Sequence, residues 1–443
     1  MSSMRTKSIL QVILAFLARA AIRKYNPIII GVTGSVGKTS TREAIFAVLK
    51  KKYRVRASEK NYNTEIGLPL TILGIPHYGK NIFAWKLAFI KVFFSLLFSK
   101  NKYPKILILE YGIDRPGDMD YLLSVAKPRM AVVTAIGEVP VHVEFFKDPE
   151  EVIAEKAKLV ASVPENGHVI LNHDDYAVYD MGGKTKAPVL TFGFEEHAEV
   201  KIINYQLSIS KDANLGDTPE GISFKIQHEG NTVPFWIKGV FGKPQAYAAA
   251  AAAGVGVALG MNLVEISGAI RQYISPAGRM RLISGIKKSF IIDDTYNAAP
   301  EAMHAAIDTL EALPGKRKIA VLGDMLEIGK FSEQVHRVIG DRVAGFVDIL
   351  VTVGPRAKFI ADEAKTRGIE KNPRVLSPEQ VMSFENSVDA GKALDPLIQP
   401  GDLILVKGSQ AMRLEKTVEE IMTHPEKAAE FLVRQDEYWR AKP

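Results

Sequence analysis

The stretch GVTGSVGKTST, residues 31–41, sets three glycines and a Lys-Thr pair directly behind the apolar run PIII. Glycines let backbone N–H groups turn inward around an anion, a lysine reaches terminal phosphates, and a threonine hydroxyl can sit on Mg²⁺. The strict pattern puts a glycine where Val32 stands; here it comes one residue earlier, at Gly31. The physical task survives that shift. Gly34, Ser35, Gly37, Lys38, Thr39 and Ser40 are candidate contacts for the phosphates of a nucleotide, reinforced by the positive end of the helix that follows. A glycine-rich turn without a ligand is the alternative, and the agreement of strand, loop, Lys-Thr and helix speaks against it.

Other side chains could share that chemistry. Glu110 ends the apolar run KILILE, at the carboxyl edge where ligands of parallel sheets bind, and could meet Mg²⁺ beside Thr39 or simply face water. Lys156 lies on a helix over 149–161 with Val152, Leu159 and Val160 on one face, surroundings that favour a neutral amine. By composition alone Glu155, Lys156 and Lys158 read as a charged helix surface. His142 follows MAVVTA on a short loop and, unaided, reads as a surface residue, while Glu144 supports His142 or is simply solvated. Arg279 follows SPAG at a hinge and can reach a terminal phosphate on domain closure. Asp294 ends FIIDD and could hold a ribose, with Tyr296 and Asn297 in the adjoining loop; the same stretch is also a capped turn before a helix. Asn61 and Asn63 orient a substrate or cap a turn.

These residues need a scaffold of alternating strands and helices. PIIIGV, KILILE, MAVVTA, HVILN and VLTFGF read as strands with helices such as 37–51 and 149–161 among them, which predicts α/β architecture with a largely parallel sheet. Residues 197–240 read as an antiparallel appendage, and the alanine run at 246–260 as a tightly packed helix before another at 264–272. FIIDDTYN, KIAVLGDM, DILVTVG and DLILVKGS begin a second alternating series. At 443 residues the chain exceeds one compact core. The expected division is an apolar, basic helix at 1–25, a P-loop central domain at 26–277 and a smaller Rossmann-like α/β domain at 278–443. The chain has no cysteine, which excludes disulfides and thiolate chemistry.

The displaced glycine and the motifs downstream resemble the Mur ligase superfamily. NYNTEIGLPLTIL, ILEYGIDRPGDMDYL, VHVEFF, EKAKLV, SPAGRMRLI, IDDTYNAAPEAM, VLGDMLEIG and LVKGSQAMRLE occur in the superfamily's order. The last motifs are most similar to its MurF branch, the UDP-N-acetylmuramoyl-tripeptide–D-alanyl-D-alanine ligases. The resemblance implies an ATP- and Mg²⁺-dependent amide ligase of peptidoglycan precursor synthesis, with two metal ions and no nucleic-acid partner. The carboxylate of a UDP-muramoyl-peptide would become an acyl phosphate, to be attacked by the amine of D-Ala-D-Ala. It also implies that Thr39, Glu110, His142 and a carbamylated Lys156 hold the metals. Asn61, Asn63 and Thr64 would meet the acceptor, and Lys407 and Ser409 the incoming amine. Departures are visible: TAIG at 134–137, GKPQ at 242–245 and Gln410 replace the common forms. Only some 25 residues precede the P-loop strand, where a separate UDP-sugar domain is usual. The same chemistry on a lipid-linked muropeptide or polyglutamate-type acceptor, and a non-ligase P-loop NTPase, are the alternatives.

Charge is uneven. Residues 1–109 hold 19 Lys/Arg against three acids, leaving 38 against 47 in the remainder. No helix-turn-helix, finger or RNA-binding signature accompanies the basic quarter. The N-terminus resembles a signal peptide, but Arg19, Arg23 and Lys24 follow closely and an ATP site belongs in the cytoplasm. Two apolar segments, 8–22 and 82–98, lie in this quarter. They either rest in the interface of an anionic leaflet, at the inner face of the membrane, or pack on the core and on each other.

Overall fold

The computed structural model describes residues 2–58, 62–79, 81–98, 103–367 and 376–441. Nine strands form the larger sheet: β1 (Ile28–Thr33), β2 (Val55–Ala57), β3 (Ile106–Glu110), β4 (Met130–Val133), β5 (His168–Asn172), β6 (Val189–Gly193), β7 (Val200–Asp212), β8 (Gly216–His228) and β9 (Asn231–Lys238). Their order is β2-β3-β1-β4-β5-β6-β7-β8-β9. From β2 to β7 every pairing is parallel, and β1, β3 and β4 are near-continuous apolar runs buried on both faces, as a helix-covered parallel sheet requires.

The antiparallel segment expected at 197–240 is present as β7, β8 and β9, and it continues the edge of this sheet. Phe192 and Gly193 pair in parallel with Val200 and Lys201, after which β7, β8 and β9 run antiparallel. The helix Lys243–Ala258 packs its alanines against the helix Lys38–Leu49 that leaves the phosphate loop. Close approach is demanded there: a Cβ at Gly256 would lie 3.3 Å from Val48 Cγ1 of that helix and 2.8 Å from Ile266 Cδ1 of the next helix, Leu263–Ile270.

A second, six-stranded sheet contains β10 (Arg281–Ser284), β11 (Phe290–Asp294), β12 (Lys318–Gly323), β13 (Ile349–Val353), β14 (Val381–Phe384) and β15 (Leu403–Lys407), in the order β10-β11-β15-β12-β13-β14. All its pairs are parallel except β10 with β11. Between the sheets lies the 275–280 segment. Buried Asp293 ties it down, accepting from Gly278 N at 3.0 Å and from Thr295 Oγ1 at 2.6 Å, and burial pushes its carboxyl up to about 6.

The N-terminal helix Ser2–Tyr25 lays Leu14, Ala15, Ala18 and Ala21 inward, and it packs on the short helix Gly67–Leu73. The helix Ile82–Phe98 lies beside it. Both apolar segments thus pack on the core and on each other, yet only along one face each.

Candidate active site

The phosphate loop is built as its residue types dictate. Gly34 has φ 141°, and a Cβ there would lie 2.1 Å from Thr134 Oγ1, so only glycine fits. Gly37 has φ 88° and opens the helix Lys38–Leu49. Thr134 clamps the loop, donating to Val36 O at 2.6 Å. Lys38 Nζ rests on the loop's own carbonyls, 2.7 Å from Gly34 O and 3.4 Å from Ser35 O. Burial pushes its amine down to about 8, against the opposing pull of Glu110. Ser35 Oγ is buried and without a partner among the described residues, and it belongs to a loop whose shape suits phosphate oxygens.

Around this loop a cleft of about 720 Å³ gathers side chains from both domains. Lys38, Thr39, Glu110, Asp114 and His142 face it from the first domain; Arg279 from the segment between the sheets; and Tyr296, Asn297, Glu327, Ser409 and Gln410 from the second. Asn63 and Thr64 also line it, whereas Asn61 lies outside the described residues. Ser40 faces a smaller crevice on the other side of the loop, which Asp294 and Lys407 share. Beyond that, a cavity of about 470 Å³ opens beside Gly37 and Thr41, walled by Phe192, Tyr205 and Tyr247.

Arg279 is held from three sides. Its guanidinium stacks 3.9 Å from the Tyr296 ring centre and reaches Thr39 Oγ1 at 3.5 Å, while its carbonyl accepts from Gln245 Nε2 at 3.0 Å and Ser275 Oγ at 2.9 Å. Its Nε is buried with no partner among the described residues, a donor left over for an anion in the cleft. Gln245 belongs to the aberrant GKPQ stretch, so this departure has a positioning task.

Glu110 ends β3 as expected and forms an ion pair with Arg42 at 2.9 Å, both side chains buried. His142, in left-handed conformation at φ 72°, sets Nδ1 3.0 Å from Glu327 of the second domain and Nε2 3.5 Å from Asp114. Hydrogen bonding to His142 holds the Glu327 carboxyl below its usual range. Among the described residues no three His, Cys, Asp or Glu side chains converge to hold a metal ion unaided. The donors present, the Thr39 hydroxyl and the Glu110 carboxylate beside a phosphate loop, nonetheless fit Mg²⁺, a hard ion commonly completed by substrate phosphates and water.

Lys156 is 1% exposed and donates to Gly34 O at 3.1 Å, so it reaches the phosphate loop from the helix Pro149–Ala161. Burial, and then Lys38, drive its amine well below the ordinary lysine range. Lys158 instead pairs on the surface with Asp120 at 2.6 Å and Glu155 at 2.7 Å. Glu155 is itself buried, accepting from Gly117 and Met119 N–H groups. Two of the three residues that read as a charged surface are therefore interior.

The pairing of Asp294 with Lys407 differs from what the sequence suggested for either. The carboxylate, expected at a ribose, meets the lysine Nζ, expected at an amine, at 2.6 Å. The reason is register: β11 and β15 are adjacent and parallel, and Asp294 and Lys407 are direct partners at their ends. Ser409 lines the cleft, but its hydroxyl accepts from Leu326 N at 2.9 Å and so fixes the loop carrying Glu327. Asp114, Gln245 and Glu327 were not singled out as site residues, although Asp114 and Glu327 lay in quoted motifs and Gln245 ended the GKPQ departure.

The sequence and the fold are matched by known proteins. The Mur ligase middle domain matches residues 32–85 and 89–256, and the Mur ligase glutamate ligase domain matches residues 278–410. The UDP-N-acetylmuramoyl-tripeptide–D-alanyl-D-alanine ligase of Bacillus subtilis is 31% identical over 92% of this chain and 79% of its own length.

The chain belongs to the Mur ligase family. It is an ATP-dependent ligase, and its relatives of this kind are MurF enzymes. The crystal structure of the Thermotoga maritima MurF ligase in complex with ADP aligns with a TM-score of 0.73 at 26% identity, over 93% of this chain and 83% of that one. MurF from Acinetobacter baumannii shares the fold, with a TM-score of 0.74 at 23% identity over 92% and 79% of the two chains.

Proposed function

We propose that this Mur ligase joins D-Ala-D-Ala to a UDP-muramoyl-tripeptide, as the names of its MurF relatives describe for those enzymes. One observation carries the reading: a single cleft brings Lys38, Thr39, Glu110 and His142 of the first domain against Glu327 and Gln410 of the second, with Arg279 between them. Each domain alone holds half the groups.

The nucleotide base enters the aromatic-walled cavity beside Gly37 and Thr41, and its phosphates follow the loop into the cleft. The acceptor carboxylate oxygen attacks the γ-phosphorus, the bond to ADP breaks, and Lys38 and Arg279 hold the charge that spreads over the phosphoryl oxygens. The amine then attacks the acyl carbon, inorganic phosphate leaves, and the amide remains. Asn63 and Thr64 orient the acceptor; Asn297, Ser409 and Gln410 face the amine. Asp294 and Lys407 brace that wall. Thr39 and Glu110 would hold Mg²⁺, whose chemistry is to neutralise the transferring phosphates, and His142 would belong to a second metal.

The buried amine of Lys156, which burial and Lys38 push toward its uncharged form, suits reaction with CO₂, forming N–C(O)O⁻ with release of a proton. The resulting carbamate would give the metal site an anionic ligand, which the uncharged amine could not supply. The reaction takes place in the cytoplasm, where ATP is supplied. ADP release by the full chain, with UDP-muramoyl-tripeptide and a panel of amino acids and dipeptides, tests the assignment. Turnover is expected with D-Ala-D-Ala. Turnover with another amine alone would overturn the substrate assignment and keep the ligase chemistry.

A further inference from the structure

Two helices on the basic side of the molecule carry apolar surface that no described part of the chain covers. The helix Ile82–Phe98 is apolar around its whole circumference except at Lys86, Lys91 and Ser95. It buries only the stripe Trp85, Ala88 and Val92. Outward stand Phe83, 84% exposed, and Phe98, 75% exposed, with Leu87, Ile90, Phe93, Phe94 and Leu97 each more than half exposed. A helix apolar on all sides belongs in a core or in lipid, and here the core takes only one stripe.

The neighbouring helix Ser2–Tyr25 repeats the arrangement. Its alanine face is inside, while Ile9, Val12, Ile13 and Phe16 form an exposed stripe at helical spacing on the other side. The two helices run side by side. Leu10 and Leu14 share a cluster with Trp85 and Phe89 near one end, and at the other Tyr25 Oη donates to Ser95 O at 2.7 Å, with Lys24 Nζ on the carbonyl of Leu96.

Charge identifies the occupant. The sequence has no acid in residues 1–42 or 66–109, while Arg23, Lys24, Lys86 and Lys91 stand exposed on these helices. A second copy of the same face would set cation against cation. We propose that this pair of helices docks in the interface of an anionic lipid leaflet, phenylalanines and aliphatic side chains among the acyl chains and lysines at the head groups. Neither helix crosses: among the described residues none is long and apolar enough. The helix Gly67–Leu73, on which Ser2–Tyr25 packs, follows Asn63 and Thr64 of the cleft, so the docking face lies one short helix from the acceptor side. The proposal does not depend on which acceptor is used.

Flotation of the full chain with vesicles of phosphatidylcholine alone, or mixed with phosphatidylglycerol, tests it. Binding is expected to the anionic vesicles, weakening as salt rises. Lys86→Glu with Lys91→Glu should weaken it by at least roughly 25-fold, since the loss of each cation near an anionic surface removes about a fivefold factor. Phe83→Ser with Phe94→Ser should weaken it under all salt conditions and leave ATP turnover unchanged, which also shows that the variant is folded. Equal binding to neutral and anionic vesicles, no binding to either, or binding indifferent to both variants would overturn the proposal. So would a dimer, seen by sedimentation velocity without lipid, that the Phe variants dissolve.

Discussion

Lys156 and Lys407, one in each domain, are both 1% exposed, and they differ in what meets the amine. Lys156 donates to a carbonyl, Gly34 O, and sits near a second lysine; Lys407 meets the carboxylate of Asp294 at 2.6 Å and Asn297 O at 3.1 Å. A buried amine without a carboxylate gives up its proton and becomes reactive, whereas a buried ion pair holds two strands together. The same residue type thus serves chemistry in one sheet and architecture in the other. Neither task is written in the residue itself.

The comparison breaks most visibly in turnover. Lys156→Ala should reduce it by roughly three orders of magnitude, the scale of removing a preorganised charge from a phosphoryl-transfer site. Acetate or formate should restore part of it by standing in for a carbamate. Undiminished ADP release by Lys156→Ala without additive would end the carbamate assignment.

Stability should reverse the ranking. Lys407→Met strands the buried carboxylate of Asp294 and should cost about 3–5 kcal/mol in urea unfolding, the scale for breaking a buried pair. Lys156→Met removes a poorly paired buried amine and should leave stability equal or higher. Equal losses for both variants would mean that Lys156 has a carboxylate-like partner in solution.

Lys38 sharpens the contrast through pH. Its amine, pushed down to about 8 by burial, is already charged below that pH, when phosphates meet a cation. Above pH 8 binding must first take up a proton, so ATP affinity should fall by up to about tenfold per pH unit. Calorimetric titration between pH 7 and about pH 9.5 should show this slope, and Lys38→Met should lose it. A flat profile in the unsubstituted chain would contradict the burial effect.

Much of the scaffold was legible because parallel strands buried on both faces are continuous apolar runs, as in KILILE and MAVVTA. The helix at Pro149–Ala161 was equally plain, since Asp148 caps it by accepting from Glu151 N and Pro149 opens it. Short edge strands escaped: Val55–Ala57 and Val381–Phe384 are too brief for a pattern. The phosphate loop was legible because its backbone demands glycine. What the sequence hid were contacts between distant segments. The ion pair of Asp294 with Lys407 follows only from the register of β11 and β15, and the meeting of His142 with Glu327 only from the approach of two domains.

The smallest expected effect decides between adjacent lysines. Lys156 and Lys158 share a helix, and composition treats them alike. Lys158 is partly exposed and its bridges to Asp120 and Glu155 are open to water, so Lys158→Ala should cost about 0.5 kcal/mol or less. Glu155 keeps its role regardless, because it is the backbone N–H groups of Gly117 and Met119 that hold its other oxygen. Turnover in Lys158→Ala should therefore match the unsubstituted chain, with no response to acetate. If Lys158→Ala were inactive and rescued by acetate while Lys156→Ala worked normally, the reactive amine would be Lys158, and the burial of Lys156 would be structural.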